Sequence, residues 1–271
     1  MTITVRAPAT SANLGPGFDV AAVAFDLWNE VEVGERNGEV DASHLGVQAF
    51  ARFASPDEWS FRFTDRIPRA RGLGSSAAVV ALGLVAGALA AGREPTADEL
   101  LAVGLDLEGH ADNLAAALVG GVCLTWDGRI ARIADDVPAA AVAVVPGHEV
   151  STAAARAALP AEIGHADAAF SAGRATLLGA ALAAGDPDLF AAGANDRLHE
   201  PYRAEHAPHL ETIRRDLPKG ALGATLSGSG PTVIVWAERN RAGEVADELA
   251  ARFPDHDVLH LPITTSGAGP L

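Results

Sequence analysis

Apolar and polar positions alternate with period two in several short stretches, and such alternation predicts half-buried strands. Residues 2–6, 20–25, 28–33 and 59–63 read this way, with a short helix predicted over 42–53. Between the first two strands, residues 7–18 are rich in Pro, Ser, Asn and Gly and predict a loop. An alanine- and valine-rich run predicts a packed helix over 75–91, although Gly83 and Gly87 interrupt it. Thr96 and Glu99, three apart and ahead of an apolar pattern, predict a capping box for a helix over 97–107. Polar and turn residues from Gly109 to Asn113 then lead to a short apolar helix, 114–119, and strands at 122–126 and 129–133.

A buried strand predicted at 140–145 ends at Pro146-Gly147, the expected division between an N-terminal domain, 1–146, and a C-terminal one, 147–271. Beyond it, Ser151-Thr152 starts a helix that stops at Leu159-Pro160. Helical patterns cover 165–184, 187–195, 208–217 and 240–252, with strands at 221–226, 233–236 and 258–261. Strands and helices interleave throughout, so the class is α/β or α+β.

Composition narrows the setting. A chain of 271 residues, 49% hydrophobic, with mean hydropathy +0.16, can bury a large core in one or two domains. No run of eighteen uncharged apolar residues predicts a membrane span, and the first residues lack a basic segment followed by an apolar one. A cytoplasmic protein with no membrane partner is expected. The formal net charge of −15 argues against nucleic acid. The single cysteine, Cys123, excludes an intrachain disulfide and a cysteine-cluster metal site.

One stretch carries candidate chemistry: Pro68, Arg69, Ala70, Arg71, Gly72, Leu73, Gly74, Ser75, Ser76 and Ala77. It reads as a loop closing on a helix N-terminus, with Ser75 as the expected N-cap. Gly72 and Gly74 admit positive φ and let a ligand approach bare backbone. Unpaired N–H groups and the positive end of the helix dipole suit a phosphate there, and a turn capping a buried helix is the alternative. Lys219 is the one lysine in the chain and lies far from this loop. Any phosphate at 72–76 must therefore be held by amides, hydroxyls, a metal ion or arginine.

Three glycine-bearing loops occur in order, at 8–19, 68–78 and 226–232. In that order they resemble the three motifs of the GHMP small-molecule kinases. The run Pro8-Ala9-Thr10-Ser11-Ala12-Asn13-Leu14-Gly15-Pro16-Gly17-Phe18-Asp19 is similar to the first motif of the homoserine kinase family in particular. So are Glu108-Gly109-His110-Ala111-Asp112-Asn113, the helix start from Ser151 to Arg156, and Glu200-Pro201-Tyr202-Arg203. The chain departs from the family pattern in being shorter between Glu35 and Ser60, where Ser43 or His44 replaces an asparagine, and in having Ala111 where proline is commoner.

The resemblance implies an α+β, two-domain fold: an N-terminal α/β sandwich with a left-handed βαβ crossover and a ferredoxin-like C-terminal domain. It implies ATP-dependent phosphorylation of the side-chain hydroxyl of L-homoserine to O-phospho-L-homoserine, a step of threonine biosynthesis, with Mg2+ as cofactor and a homodimer as the assembly. The amides of the loop at 72–76 would hold the β- and γ-phosphates, and Ser76 and Glu108 match the magnesium ligands. Arg156 and Arg203 match carboxylate-binding arginines, and Asp19 faces the α-ammonium. Asn13, His110 and Asn113 orient the acceptor. Asn113 and Arg156 stand near the reacting centre, supported by Thr152, and Asp112 has no general-base role. The loop 226–232 either packs under this site or touches phosphate. Other readings remain: a kinase of the same superfamily for a mevalonate- or shikimate-like alcohol, or an inactive nucleotide-binding regulator.

Overall fold

The computed structural model describes residues 2–36 and 38–271. β1 (Ile3–Asn13) and β2 (Gly17–Glu35) form one long antiparallel hairpin. The stretch expected as a loop over 7–18 is therefore strand, with the turn itself confined to 14–16. Its small residues pair in register, from Ala9 with Phe25 to Ala12 with Ala22, and are buried on both faces. Burial on both faces removes the alternation by which a strand is recognised. Positive φ at Asn13, Leu14 and Gly15 reverses the chain.

After α1 (Leu45–Phe50) and β3 (Trp59–Thr64), which pairs with β2, the chain enters α2 (Ser75–Ala90). This helix is apolar all round, as a fully buried helix must be. It packs on the hairpin, on α1, on α3 (Ala97–Glu108) and on α4 (Ala111–Val119). The glycines that interrupt its sequence let α1 cross it backbone to backbone. A Cβ on Gly83 would come within 2.1 Å of the Gly46 carbonyl oxygen, and one on Gly87 within 2.5 Å of that of Phe50. The capping box of Thr96 and Glu99 is present at the start of α3. By contrast, α4 begins earlier than the apolar pattern, so Asp112 and Asn113 belong to its first turn. β4 (Val122–Trp126) and β5 (Arg129–Ala134) complete the path β1-β2-β4-β5, with β3 also on β2.

β6 (Ala140–Pro146) opens the second sheet, followed by α5 (Thr152–Ala157), α6 (His165–Ala184), α7 (Pro187–Gly193) and α8 (Pro208–Arg215). Then come β7 (Ala221–Leu226), β8 (Val233–Ala237), α9 (Ala242–Arg252) and β9 (His256–Leu261). The order β7-β8-β6-β9, with helices between the first and second and the third and fourth strands in sequence, is the ferredoxin-like arrangement. Because β6 pairs with β8 and β9, the sheets divide the chain before Ala140, not at the expected 146/147. The tail then returns: β10 (Gly269–Pro270) pairs with β1, and Ile263 bridges to Phe25. Among the described residues, no helix is long and apolar enough to cross a membrane.

Candidate active site

A cleft of about 680 Å³ opens between the start of α2, the β1–β2 turn, the start of α5 and the loop between β7 and β8. One wall is backbone. Gly74, at φ +65°, occupies the N-cap position of α2, and no side chain caps the helix. Ser75, expected as the cap, is instead the first helical residue. Glycine takes the position because a Cβ there would lie 1.9 Å from Thr10 Oγ1 and the backbone is left-handed. The uncapped N–H groups of the first turn are therefore left for a ligand, and Gly72, Gly74, Ser75 and Ser76 line the cleft beside them. The loop is pinned from behind: Thr10 N–H donates to the Leu73 carbonyl at 3.1 Å, and Val150 N–H to that of Ala70 at 3.0 Å.

The second glycine loop supplies the tightest support. Ser227 Oγ donates to the Gly72 carbonyl at 2.6 Å, and a Cβ on Gly72 would meet the Ser227 carbonyl oxygen at 2.3 Å. Gly228, Ser229 and Gly230 also reach the cleft. Of the two readings the sequence leaves for this loop, packing under the first glycine loop is what its contacts show, and its own glycines line the cleft.

Not every loop residue expected to bind nucleotide faces this space. Leu73 and Ala77 are fully buried in the core, where their apolar side chains belong. Arg69 pairs with Asp65 at the surface. Arg71 reaches the other way, donating to the carbonyls of Pro146 at 2.9 Å and Gly147 at 2.5 Å. Pro68 is outside the lining, whereas Ala70 is within it. Ser43 and His44 also serve local structure: Ser43 Oγ donates to Asp41, and His44 Nδ1 accepts from Gly46 N–H at 3.2 Å while its ring lies 4.0 Å from that of Phe63.

Glu108, the last residue of α3, accepts from Ser76 Oγ at 2.6 Å. Desolvation, aided by the charge of Asp112 and opposed by the Ser76 hydrogen bond, pushes its carboxyl up to about 7. The Ser76 hydroxyl and the Glu108 carboxylate are oxygen donors of the kind a hard divalent ion takes, although among the described residues no group of three or more His, Cys, Asp or Glu is placed to hold a metal.

The opposite wall is made of side chains from four distant segments. Arg156 donates from one Nη to both Asp19 carboxylate oxygens at 2.7 Å. Arg203 is buried; its Nη1 donates to the Gly228 carbonyl at 3.1 Å and its Nε to that of Ala155 at 3.4 Å. Both guanidinium groups stand over the Phe18 ring, 5.4 and 5.3 Å from its centroid. Asn13 bridges the domains: its Nδ2 donates to the Gly228 carbonyl at 3.1 Å, and its Oδ1 accepts from Asp19 N–H at 3.1 Å. Thr10 Oγ1 donates to Asn113 Oδ1 at 2.8 Å and so orients that amide.

His110 sits at the N-cap of α4, but its side chain makes no capping bond and lines the cleft. Thr152 lines it too, at the first position of α5, which Ser151 caps through Ala154 N–H. Asp112 is nearly fully buried, and desolvation raises its carboxyl to about 6 despite the Asn113 N–H it accepts. Sequence reasoning gives no role to Phe18 or Thr10. Phe18 lies in the first motif, beside Asp19, but its place under two arginines depends on contacts more than a hundred residues away.

Comparison with known proteins follows this geometry closely. Models of the GHMP kinases N-terminal domain and the GHMP kinases C-terminal region match residues 44–121 and 178–255. A homoserine kinase of Desulfitobacterium hafniense is 36% identical, over 98% of this chain and 99% of its own length. One from Corynebacterium kroppenstedtii is 37% identical, over 100% and 94%. Among solved structures, the homoserine kinase of Cytophaga hutchinsonii superposes with a TM-score of 0.88 at 27% identity, covering 100% of this chain and 97% of that one. The mevalonate kinase of Methanococcus jannaschii shares the fold, with a TM-score of 0.71 at 16% identity over 97% and 98%.

Proposed function

We infer the reaction from the premise that these matches establish: the chain belongs to the GHMP kinases and, within them, to the homoserine kinase family. It transfers a phosphoryl group from ATP to the side-chain hydroxyl of L-homoserine, giving O-phospho-L-homoserine. The observation that carries this reading is the two-sided cleft, with uncapped amides on one wall and paired guanidinium and carboxylate groups on the other.

In our proposal, the β- and γ-phosphates lie against the amides of Gly72 to Ser76. The acceptor is a zwitterion. Its carboxylate lies between Arg156 and Arg203, since guanidinium forks suit carboxylates. Its ammonium faces Asp19, with the buried Asp112 behind, so the Asp19–Arg156 pair opens to receive both ends of the amino acid. Asn13 and His110 bound the acceptor's backbone, and Thr152 supports the same wall.

The residues present fit a magnesium ion. Ser76 and Glu108 offer a hydroxyl and a carboxylate oxygen 2.6 Å apart, and desolvation disfavours the bare carboxylate, so a bound cation would stabilise its charge. Bound there, the ion would neutralise charge on the transferring phosphates. The protein's part is then positioning. Asn113, held by Thr10, and Arg156 flank the hydroxyl, which attacks in line without a side-chain base; Asp112 already accepts the Asn113 N–H. Orientation and preorganised charge supply most of the rate. Loss of turnover in Asp112→Asn, with substrate affinities unchanged, would sink the base-free mechanism. A cytoplasmic homodimer completes the proposal, and light scattering tests the assembly.

Mevalonate-like alcohols are the second reading, favoured by the shared fold. They carry no ammonium to face Asp19. A panel of homoserine, serine, threonine, mevalonate and shikimate with Mg-ATP, scored by ADP release, decides between them: fastest release with homoserine is expected, and fastest release with mevalonate or shikimate would overturn the acceptor assignment.

A further inference from the structure

His199 has no solvent exposure and lies at the junction of the two domains. Its Nδ1 is 3.1 Å from Arg203 Nη1, and its Nε2 is 2.8 Å from the carbonyl oxygen of Gly15. A guanidinium has only donors, so Nδ1 must accept; the ring proton is then on Nε2, which donates to Gly15. The ring is also stacked on Phe18, with centroids 5.0 Å apart and planes 21° apart. Phe18 in turn lies under both Arg156 and Arg203. Asp196 anchors the segment that presents the imidazole, accepting the N–H groups of Leu198, His199 and Glu200 at 2.9, 2.7 and 3.0 Å.

We propose that His199 is a positioning residue for the acceptor. As the neutral imidazole protonated on Nε2, it ties the Arg203 guanidinium to the β1–β2 turn, which leads directly into Phe18 and Asp19 at the start of β2. The two ends of the amino-acid site come from different domains, Arg203 from one and Asp19 from the other. His199 links them by direct side-chain contact with Arg203, alongside the Asn13 bridge through the Gly228 carbonyl. Desolvation outweighs the nearby Glu200 and Asp196 carboxylates and the Gly15 hydrogen bond, which pull the other way. With a smaller contribution from the Arg203 charge, it holds the imidazole below its ordinary pKa, so the accepting Nδ1 stays free of a proton. This inference rests on the homoserine reading of the cleft.

Two substitutions separate positioning from packing. His199→Phe keeps an aromatic ring against Phe18 and removes both hydrogen bonds. His199→Gln restores an acceptor and a donor. In His199→Phe, with folding checked by thermal melting, the KM for homoserine is expected to rise about 10- to 100-fold, as for a lost hydrogen bond to a charged group. The KM for ATP stays within about twofold, and His199→Gln recovers part of the loss. An unchanged homoserine KM in folded His199→Phe overturns the proposal, as do equal losses for both substrates with no recovery by Gln. If the wild type does not turn homoserine over, the acceptor reading fails by itself. The tether is still tested by nitrogen NMR of the wild-type imidazole at neutral pH: a proton on Nε2 alone is expected, and an Nδ1–H tautomer or an imidazolium overturns it.

Discussion

The two walls of the cleft are built by different means. The wall we assign to the nucleotide is main chain: a glycine at φ +65° in the cap position, uncapped helix amides and a second glycine loop packed at its back. Everything it needs lies within about ten consecutive residues plus their support. The acceptor wall is side chain, assembled from 13–19, 110–113, 152–156 and 199–203 across the domain junction. A backbone site recognises a group common to all nucleotides and tolerates little change in shape. A side-chain site discriminates among acceptors and can be altered one contact at a time. Damage to the first wall should therefore affect fold and turnover together, and damage to the second should raise the homoserine KM while leaving the ATP KM unchanged.

The largest expected effect is on the first wall. Gly72→Val forces a β-branched side chain into positive φ and onto the Ser227 carbonyl, 2.3 Å from the new Cβ. It should cost about 1–3 kcal/mol of stability in strain and lower kcat/KM at least about 100-fold by displacing the amides. Normal turnover would break the backbone account. Next, Glu108→Gln should weaken apparent Mg2+ affinity about 10- to 100-fold. In the wild type, the cation-free carboxyl is raised to about 7, so protons compete with the ion below that value. Apparent Mg2+ affinity therefore rises with pH up to about 7, by roughly tenfold per unit at most, and levels off above it. Glu108→Gln should abolish that slope; an unchanged slope would remove Glu108 from the metal site.

On the second wall, Asp19→Asn removes the partner of Arg156 and the carboxylate facing the ammonium. The homoserine KM should rise about tenfold with the ATP KM unchanged; a parallel rise in both would merge the two walls into one. The smallest effect sharpens the helix start. Since Gly74, not Ser75, is the N-cap, Ser75→Ala should shift the unliganded protein's unfolding free energy by less than about 0.5 kcal/mol. A loss near 1 kcal/mol, as for a removed cap, would restore Ser75 to that role.

The same division explains what could be read from the amino acids alone. The phosphate loop, the Thr96–Glu99 capping box and the packed glycines of α2 all rest on neighbours a few residues apart. The hairpin arm over 7–13 was hidden because its residues are small and buried on both faces. The sheet to which β6 belongs is set by pairing with β8 and β9, about ninety residues or more downstream. The motifs at 8–19, 151–156 and 200–203 point to Asp19, Arg156 and Arg203 as acceptor residues, but not to the pairing of Asp19 with Arg156 or to both arginines resting on Phe18. Equally, no local signal separates Arg71, which turns away to Pro146 and Gly147, from its loop neighbours that face the cleft.

Calorimetric titration of one variant with each ligand in turn tests the two-wall account most directly. Arg156→Ala should bind L-homoserine at least about tenfold more weakly than wild type, while a non-hydrolysable ATP analogue with Mg2+ binds within about twofold of wild type. Equal weakening of both ligands, or loss of nucleotide binding alone, would contradict it.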